Sequence, residues 1–226
     1  MAVVVFDMDD TLYDEMTYVQ SGFSAVAEFL SNGYGISSED AIMVMNNELM
    51  DNGRGQVFDS VLKHFNIWSK YIVLKCLAVY RTHTPDIRLL DDALECLSLL
   101  MPDYPMYLVT DGNKMVQNMK VKALGIEQYM KYCFITHRYG IRHSKPSPYV
   151  FHKIADREKV DFNRVMYIGD NPNKDFVGIK KLGFKTIRIM RGSFVNIERP
   201  PEYEADYRIH SLRELTPKLI SNMIGH

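Results

Sequence analysis

Four short, predominantly apolar runs recur along the chain: Val3 to Phe6, Met106 to Val109, Val165 to Ile168 and Thr186 to Ile189. Each gives way to polar or glycine-bearing residues at its far end. They are too short for helices and too uniformly apolar for strands with one wet face, so they read as strands buried on both faces. Helical patterns lie between them. Val116 to Leu124 stops at Gly125 and Lys174 to Leu182 at Gly183, each glycine standing where a helix C-terminus favours a left-handed residue. Tyr149 to Arg157 is a third such pattern. Strand alternating with helix predicts an α/β fold, a mostly parallel sheet flanked by helices. Cys133 to Ile135 is a weaker strand candidate, and Tyr207 to Ile209 a final edge strand.

The alternation stops between about Glu15 and Arg88, where only helical segments follow one another. Tyr18 to Leu30 places Val19, Phe23, Val26, Ala27 and Leu30 near one face. Ser37 with Asp40 three positions on resembles a capping box opening the next helix, and Ser60 to Phe65 and Ser69 to Tyr80 continue the pattern. The expected organisation is a core of residues 1–14 plus 89–226, with an α-helical insertion, 15–88, directly after the first strand.

Composition narrows the partners. At 226 residues with 46% hydrophobic content the chain can build a substantial core. Its formal net charge is −1 and no basic block appears, so neither nucleic acid nor an anionic membrane is favoured. No stretch approaches the ~18 apolar residues of a membrane span. The opening MAVVVFDMDD lacks a basic region and its apolar run is broken by Asp7, which argues against a signal peptide. Three widely separated cysteines, Cys76, Cys96 and Cys133, form no zinc or redox pattern and suit a reducing compartment as buried thiols. A cytoplasmic, soluble protein is expected.

Four places carry polar groups suited to chemistry. Asp7-Met8-Asp9-Asp10-Thr11 follows the first strand, at the carboxyl end where open parallel sheets gather ligands. It reads as a catalytic acidic loop or as one capping the next segment. A calcium loop fails, because Leu12 and Tyr18 stand where glycine and glutamate are needed. Thr110-Asp111-Gly112-Asn113 ends the second apolar run. Thr110 can donate a hydroxyl proton and the amides of Asp111 and Gly112 can bind an anion, or the stretch is a plain strand-to-helix turn. Lys145 stands in a loop braced by Pro146 and Pro148, as a site residue or a solvated lysine. Gly169-Asp170 ends another strand, with Asp175 five residues on. Asp170 reads as a site acid or a loop acid, and Asp175 as a site acid or as a residue complementing a helix dipole.

In that order, strand-Asp-x-Asp, strand-Thr, Lys and strand-Gly-Asp followed by Asp175, these motifs resemble the haloacid dehalogenase-like superfamily over essentially the whole chain. The resemblance implies a Rossmann-like core, and it makes 15–88 similar to that superfamily's helical cap, which closes over the site. DMDDTLYDE and GDNPNKDFVGIKKLG are similar to its branch of pyrimidine nucleotidases and sugar-phosphate phosphatases. Asp7, Asp9 and Asp170 are expected to converge, and three carboxylates facing a phosphate need a compensating cation, for which all-oxygen ligands favour Mg²⁺. The resemblance assigns Asp7, the backbone carbonyl of Asp9 and Asp170 as its ligands, with Asp175 supporting them. It further implies Asp7 as nucleophile and Asp9 as general acid and base, the latter with a raised pKa. Thr110, the Asp111 and Gly112 amides and Lys145 would hold phosphoryl oxygens. Asp9 separates phosphate-ester cleavage from dehalogenation, which protonates no alkoxide. The expected activity is Mg²⁺-dependent hydrolysis of a small phosphorylated metabolite, a nucleotide or a sugar phosphate. A phosphomutase and a phospho-accepting receiver-like domain are the alternatives. Tyr13, Glu15 and Tyr18 are expected to pack rather than to face substrate.

Overall fold

The computed structural model describes residues 1–225. Six strands, β1 (Val3–Phe6), β2 (Met106–Thr110), β3 (Tyr132–Ile135), β4 (Val165–Gly169), β5 (Lys185–Ile189) and β6 (Tyr207–Ile209), form one sheet in the order β3-β2-β1-β4-β5-β6. Every pairing is parallel. The four apolar runs of the sequence are its interior strands, and the two weaker candidates are its edges. Residues of β1, β2 and β4 are buried throughout, whereas Tyr207 and Arg208 of β6 are exposed.

The pleat sends alternate residues to opposite faces. Val3, Val5, Tyr107, Val109, Val165 and Tyr167 share one face, packed with Val150, Phe151 and Ile154 and with Phe176, Ile179 and Phe184. Val4, Phe6, Leu108, Met166 and Ile168, equally buried, point to the other. With both faces covered, parallel strands are the expected solution.

The described residues contain nine α-helices: α1 (Glu15–Tyr34), α2 (Ser38–Asn52), α3 (Val57–His64), α4 (Lys70–Thr82), α5 (Asp91–Leu100), α6 (Lys114–Ala123), α7 (Tyr149–Glu158), α8 (Val177–Lys180) and α9 (Pro217–Ile224). The helix expected over Lys174 to Leu182 is shorter than that, being only the single turn α8. Contacts divide the chain into two compact units, Met1–Glu15 with Arg88–His226, and Met16–Ile87. The second has its own core, in which Phe23, Val26 and Leu30 of α1 meet Met45, Val61, Leu62 and Cys76. Ser37 caps α2 by accepting from the Asp40 amide at 3.3 Å. Within the first unit, the Leu90 N–H donates to the Leu12 carbonyl at 3.0 Å, joining the chain on either side of the helical segment. No helix among the described residues is long and apolar enough to cross a membrane.

The sheet order reverses at its centre. The chain runs outward from β1 through β2 to β3 and then returns to place β4 on the other flank of β1. A crevice opens at the carboxyl ends of strands at such a switch point. Asp7 follows β1, Thr110 ends β2 and Asp170 follows β4, so three of the sequence-predicted places meet there.

Candidate active site

Asp7 extends the β1–β4 pairing by one residue, its N–H donating to the Ile168 carbonyl at 2.8 Å. Asp7, Asp170 and Asp175 are all buried, and one carboxylate oxygen from each lies within 4.8 Å of the others. The Lys145 ammonium enters this group, 2.9 Å from Asp7 Oδ1 and 2.8 Å from Asp175 Oδ1. It also donates to the Tyr167 hydroxyl at 2.8 Å. Burial works against its charge, but Asp175 and Asp7 hold its pKa well above the ordinary lysine range.

One ammonium does not balance three carboxylates. Burial raises Asp7 to about 6; Lys145 pulls it down and Asp175 pushes it back up. Asp170 is raised to about 9 by burial and by Asp175 and Asp7. Among the described residues no donor hydrogen-bonds to the Asp170 carboxylate. A buried carboxylate without a donor, next to two more, is a set of hard oxygen ligands in want of a cation, which fits Mg²⁺.

Asp175 is already committed. Its Oδ1 meets Lys145, and its Oδ2 accepts from the Asn171 N–H at 2.9 Å, folding the Asp170 loop back on itself. The carboxylate lies so close over β4 that a Cβ on Gly169 would come within 2.5 Å of it. The Lys145 loop is fixed from both sides. Asp111 Oδ1 accepts from the Lys145 N–H at 3.2 Å and from the Thr136 hydroxyl at 2.6 Å. On the other side, the Pro146 carbonyl packs where a Cβ on Gly178 would stand, 1.6 Å away. Asp111 thus braces the loop with its side chain, a role the sequence did not suggest. Lys174 adds a cation 3.7 Å from Asp111 Oδ2.

Asp9 differs from expectation. Its side chain is partly exposed and lies outside the three-carboxylate group, so only its backbone carbonyl could serve as the ligand the resemblance assigned. Lys120 of α6 reaches Asp9 Oδ1 at 2.7 Å, the Tyr13 hydroxyl donates to the same oxygen at 2.5 Å, and Gln117 Nε2 donates to Oδ2 at 2.9 Å. Burial alone would raise its pKa, but the charge and hydrogen bond of Lys120, with those from Tyr13 and Gln117, lower it. The expected raised value is therefore overturned: Asp9 is held as a carboxylate. Tyr13 is buried as expected, and its hydroxyl is a partner of Asp9 as well as packing.

Thr110 is fully buried, and its Oγ1 accepts from Gln117 Nε2 at 2.6 Å. Gly112 takes φ of +134°, with Gln117 against the position of a Cβ. Asn113 caps α6 by accepting from the Met115 and Val116 amides. His143 stacks on Tyr149, ring centroids 3.9 Å apart.

Sequence and structure comparisons agree with this architecture. The family model described as haloacid dehalogenase-like hydrolase matches residues 4–189. Glyceraldehyde 3-phosphate phosphatase of Methanocaldococcus jannaschii is 30% identical, with 94% of each chain covered. Among solved structures, a HAD phosphatase from Thermococcus onnurineus is 26% identical with a TM-score of 0.61, covering 97% of this chain and 98% of its own. A HAD-hydrolase from Bacillus subtilis bound to magnesium has a TM-score of 0.66 at 18% identity, covering 100% of this chain and 99% of its own. The chain belongs to the haloacid dehalogenase-like hydrolases, among their phosphatases.

Proposed function

We propose that this phosphatase is Mg²⁺-dependent and hydrolyses a small phosphorylated sugar through an aspartyl phosphate on Asp7. The observation that carries the reading is the buried group of Asp7, Asp170 and Asp175 around Lys145, at the carboxyl ends of β1 and β4. The similarity to glyceraldehyde 3-phosphate phosphatases over nearly the whole chain supports the substrate class.

Asp7, Asp170 and the Asp9 carbonyl would hold the cation, while Asp175 keeps Lys145 and the Asp170 loop in place. When bound, Mg²⁺ supplies the positive charge that lets these carboxylates and a phosphate dianion share one crevice. The residues do the rest. An Asp7 oxygen attacks phosphorus, the bond to the ester oxygen breaks, and that oxygen leaves with the proton of Asp9. Water then attacks the aspartyl phosphate, gives its proton to Asp9 and frees phosphate and the Asp7 carboxylate. The ionised Asp9 paired to Lys120 is the form the water step needs. The ester step needs the acid, and the negative charge of an incoming phosphoester beside Asp9 favours it. The Thr110 hydroxyl, the Asp111 and Gly112 amides and Lys145 would hold the phosphoryl oxygens in the loose transition state.

Phosphate release measured across glyceraldehyde 3-phosphate, larger sugar phosphates, nucleotides and phosphorylated acids, with Mg²⁺ or with EDTA, tests the reading. Sugar phosphates are expected to turn over fastest, and EDTA to stop the reaction. Asp7→Asn should lower turnover by at least about a thousandfold with an unchanged circular dichroism spectrum. Turnover retained in that variant would overturn the mechanism.

A further inference from the structure

We propose that Lys120 and Gln117 are positioning residues that fix the direction of Asp9 and of the Thr110 hydroxyl; this rests on the phosphatase reading above. Both are on α6, three positions apart and so on one face, and both are buried. A lysine out of water needs strong partners, and Lys120 has Asp9 Oδ1 at 2.7 Å with Glu15 Oε1 at 3.8 Å. Gln117 spends one amide nitrogen on two acceptors, Asp9 Oδ2 at 2.9 Å and Thr110 Oγ1 at 2.6 Å.

The consequence is geometric. Each Asp9 oxygen has its own donor from α6, so the carboxylate can neither spin about its last bond nor swing without breaking an ion pair or a hydrogen bond. Thr110 has one hydrogen to give and two lone pairs to receive. Because its oxygen receives from Gln117, its hydrogen remains available to an acceptor in the crevice. One side chain thus orients both the group that handles the ester oxygen's proton and a group that binds the phosphoryl oxygens.

Leaving groups separate this role from a structural one. An alkoxide needs the proton that Asp9 carries, whereas p-nitrophenolate departs readily without one. The ratio of kcat/KM for a sugar phosphate to that for p-nitrophenyl phosphate is unaffected by how much of a preparation is folded. In Lys120→Arg, which keeps the positive charge beside Asp9 but moves its donor, and in Gln117→Leu this ratio is expected to fall at least about tenfold. KM for both esters should also rise in Gln117→Leu, through Thr110. An equal loss on both esters, or no loss, would overturn the proposal, and if Lys120→Arg gives no soluble protein the Gln117→Leu ratio decides it. Wild-type protein that cleaves neither ester would instead sink the phosphatase reading.

Discussion

At Lys145 a single ammonium holds two carboxylates, and its place depends on a residue that touches none of them. Gly178 lets α8 approach the Pro146 carbonyl to a distance that any side chain would forbid. Gly178→Ala should lower the unfolding free energy by about 3 kcal/mol in urea titrations and, by shifting the Lys145 loop, slow phosphate release. Asp7, Thr110, Lys145 and Asp170 were legible in the sequence because each interrupts an apolar pattern at a strand end or, for Lys145, leads into the prolines Pro146 and Pro148. Lys120 and Gln117 were not. On a helix they look like a wet face, and the partners that hold them, Asp9, Glu15 and Thr110, come from other elements. One signal was present: Gln117, Lys120, Val121 and Leu124 share a helical stripe whose last two members are core, so two polar groups lay on the inward side.

Among the elements, α8 departs most from the pattern that predicts it. Periodicity from Lys174 to Leu182 suggests a helix of nine residues, but the first two positions are taken by the site and the third, Phe176, by the core. The Asn171 carbonyl accepts from Lys174 and Asp175 amides, and Asp175 turns inward to Lys145. Side-chain bonds win over propensity there. The helix α5 shows the opposite case, a short element tied down by one acid. Asp92 accepts from Arg191 Nη1 at 3.1 Å, the Ser211 hydroxyl at 2.8 Å and the Leu212 N–H at 2.9 Å. Burial raises its pKa, but these donors, Arg191 foremost, lower it on balance. An acid with a depressed folded pKa stabilises above its unfolded value, near 4, and that contribution is lost as pH falls through the folded value. Urea midpoints of the wild type should therefore drop on acidification below about pH 4, and Asp92→Asn should start lower at pH 7 and change less over the same range.

For the whole molecule, the strand order was only partly visible beforehand. Apolar runs announce buried parallel strands, but not that the chain reverses after β3 and seats β4 beside β1; the motif order implied it only through resemblance. That reversal concentrates negative charge in the interior, which makes stability sensitive to a cation. With Mg²⁺ at about a hundredfold excess over its Kd, binding adds about 2.7 kcal/mol, roughly 5 to 10 °C in Tm for a chain of this size. Differential scanning fluorimetry in Mg²⁺ against EDTA should show the rise, and Asp170→Asn should abolish it.

The hydrogen bond from Leu90 to Leu12 has a wider meaning. It closes the first unit upon itself where the helical segment departs and rejoins, so that segment hangs from the sheet's connectivity as an excursion between two adjacent backbone points. Its helices can lengthen, be exchanged or diverge without re-registering any strand. Descent can therefore rewrite one part of the chain quickly while the residues around Asp7 stay under a stricter constraint.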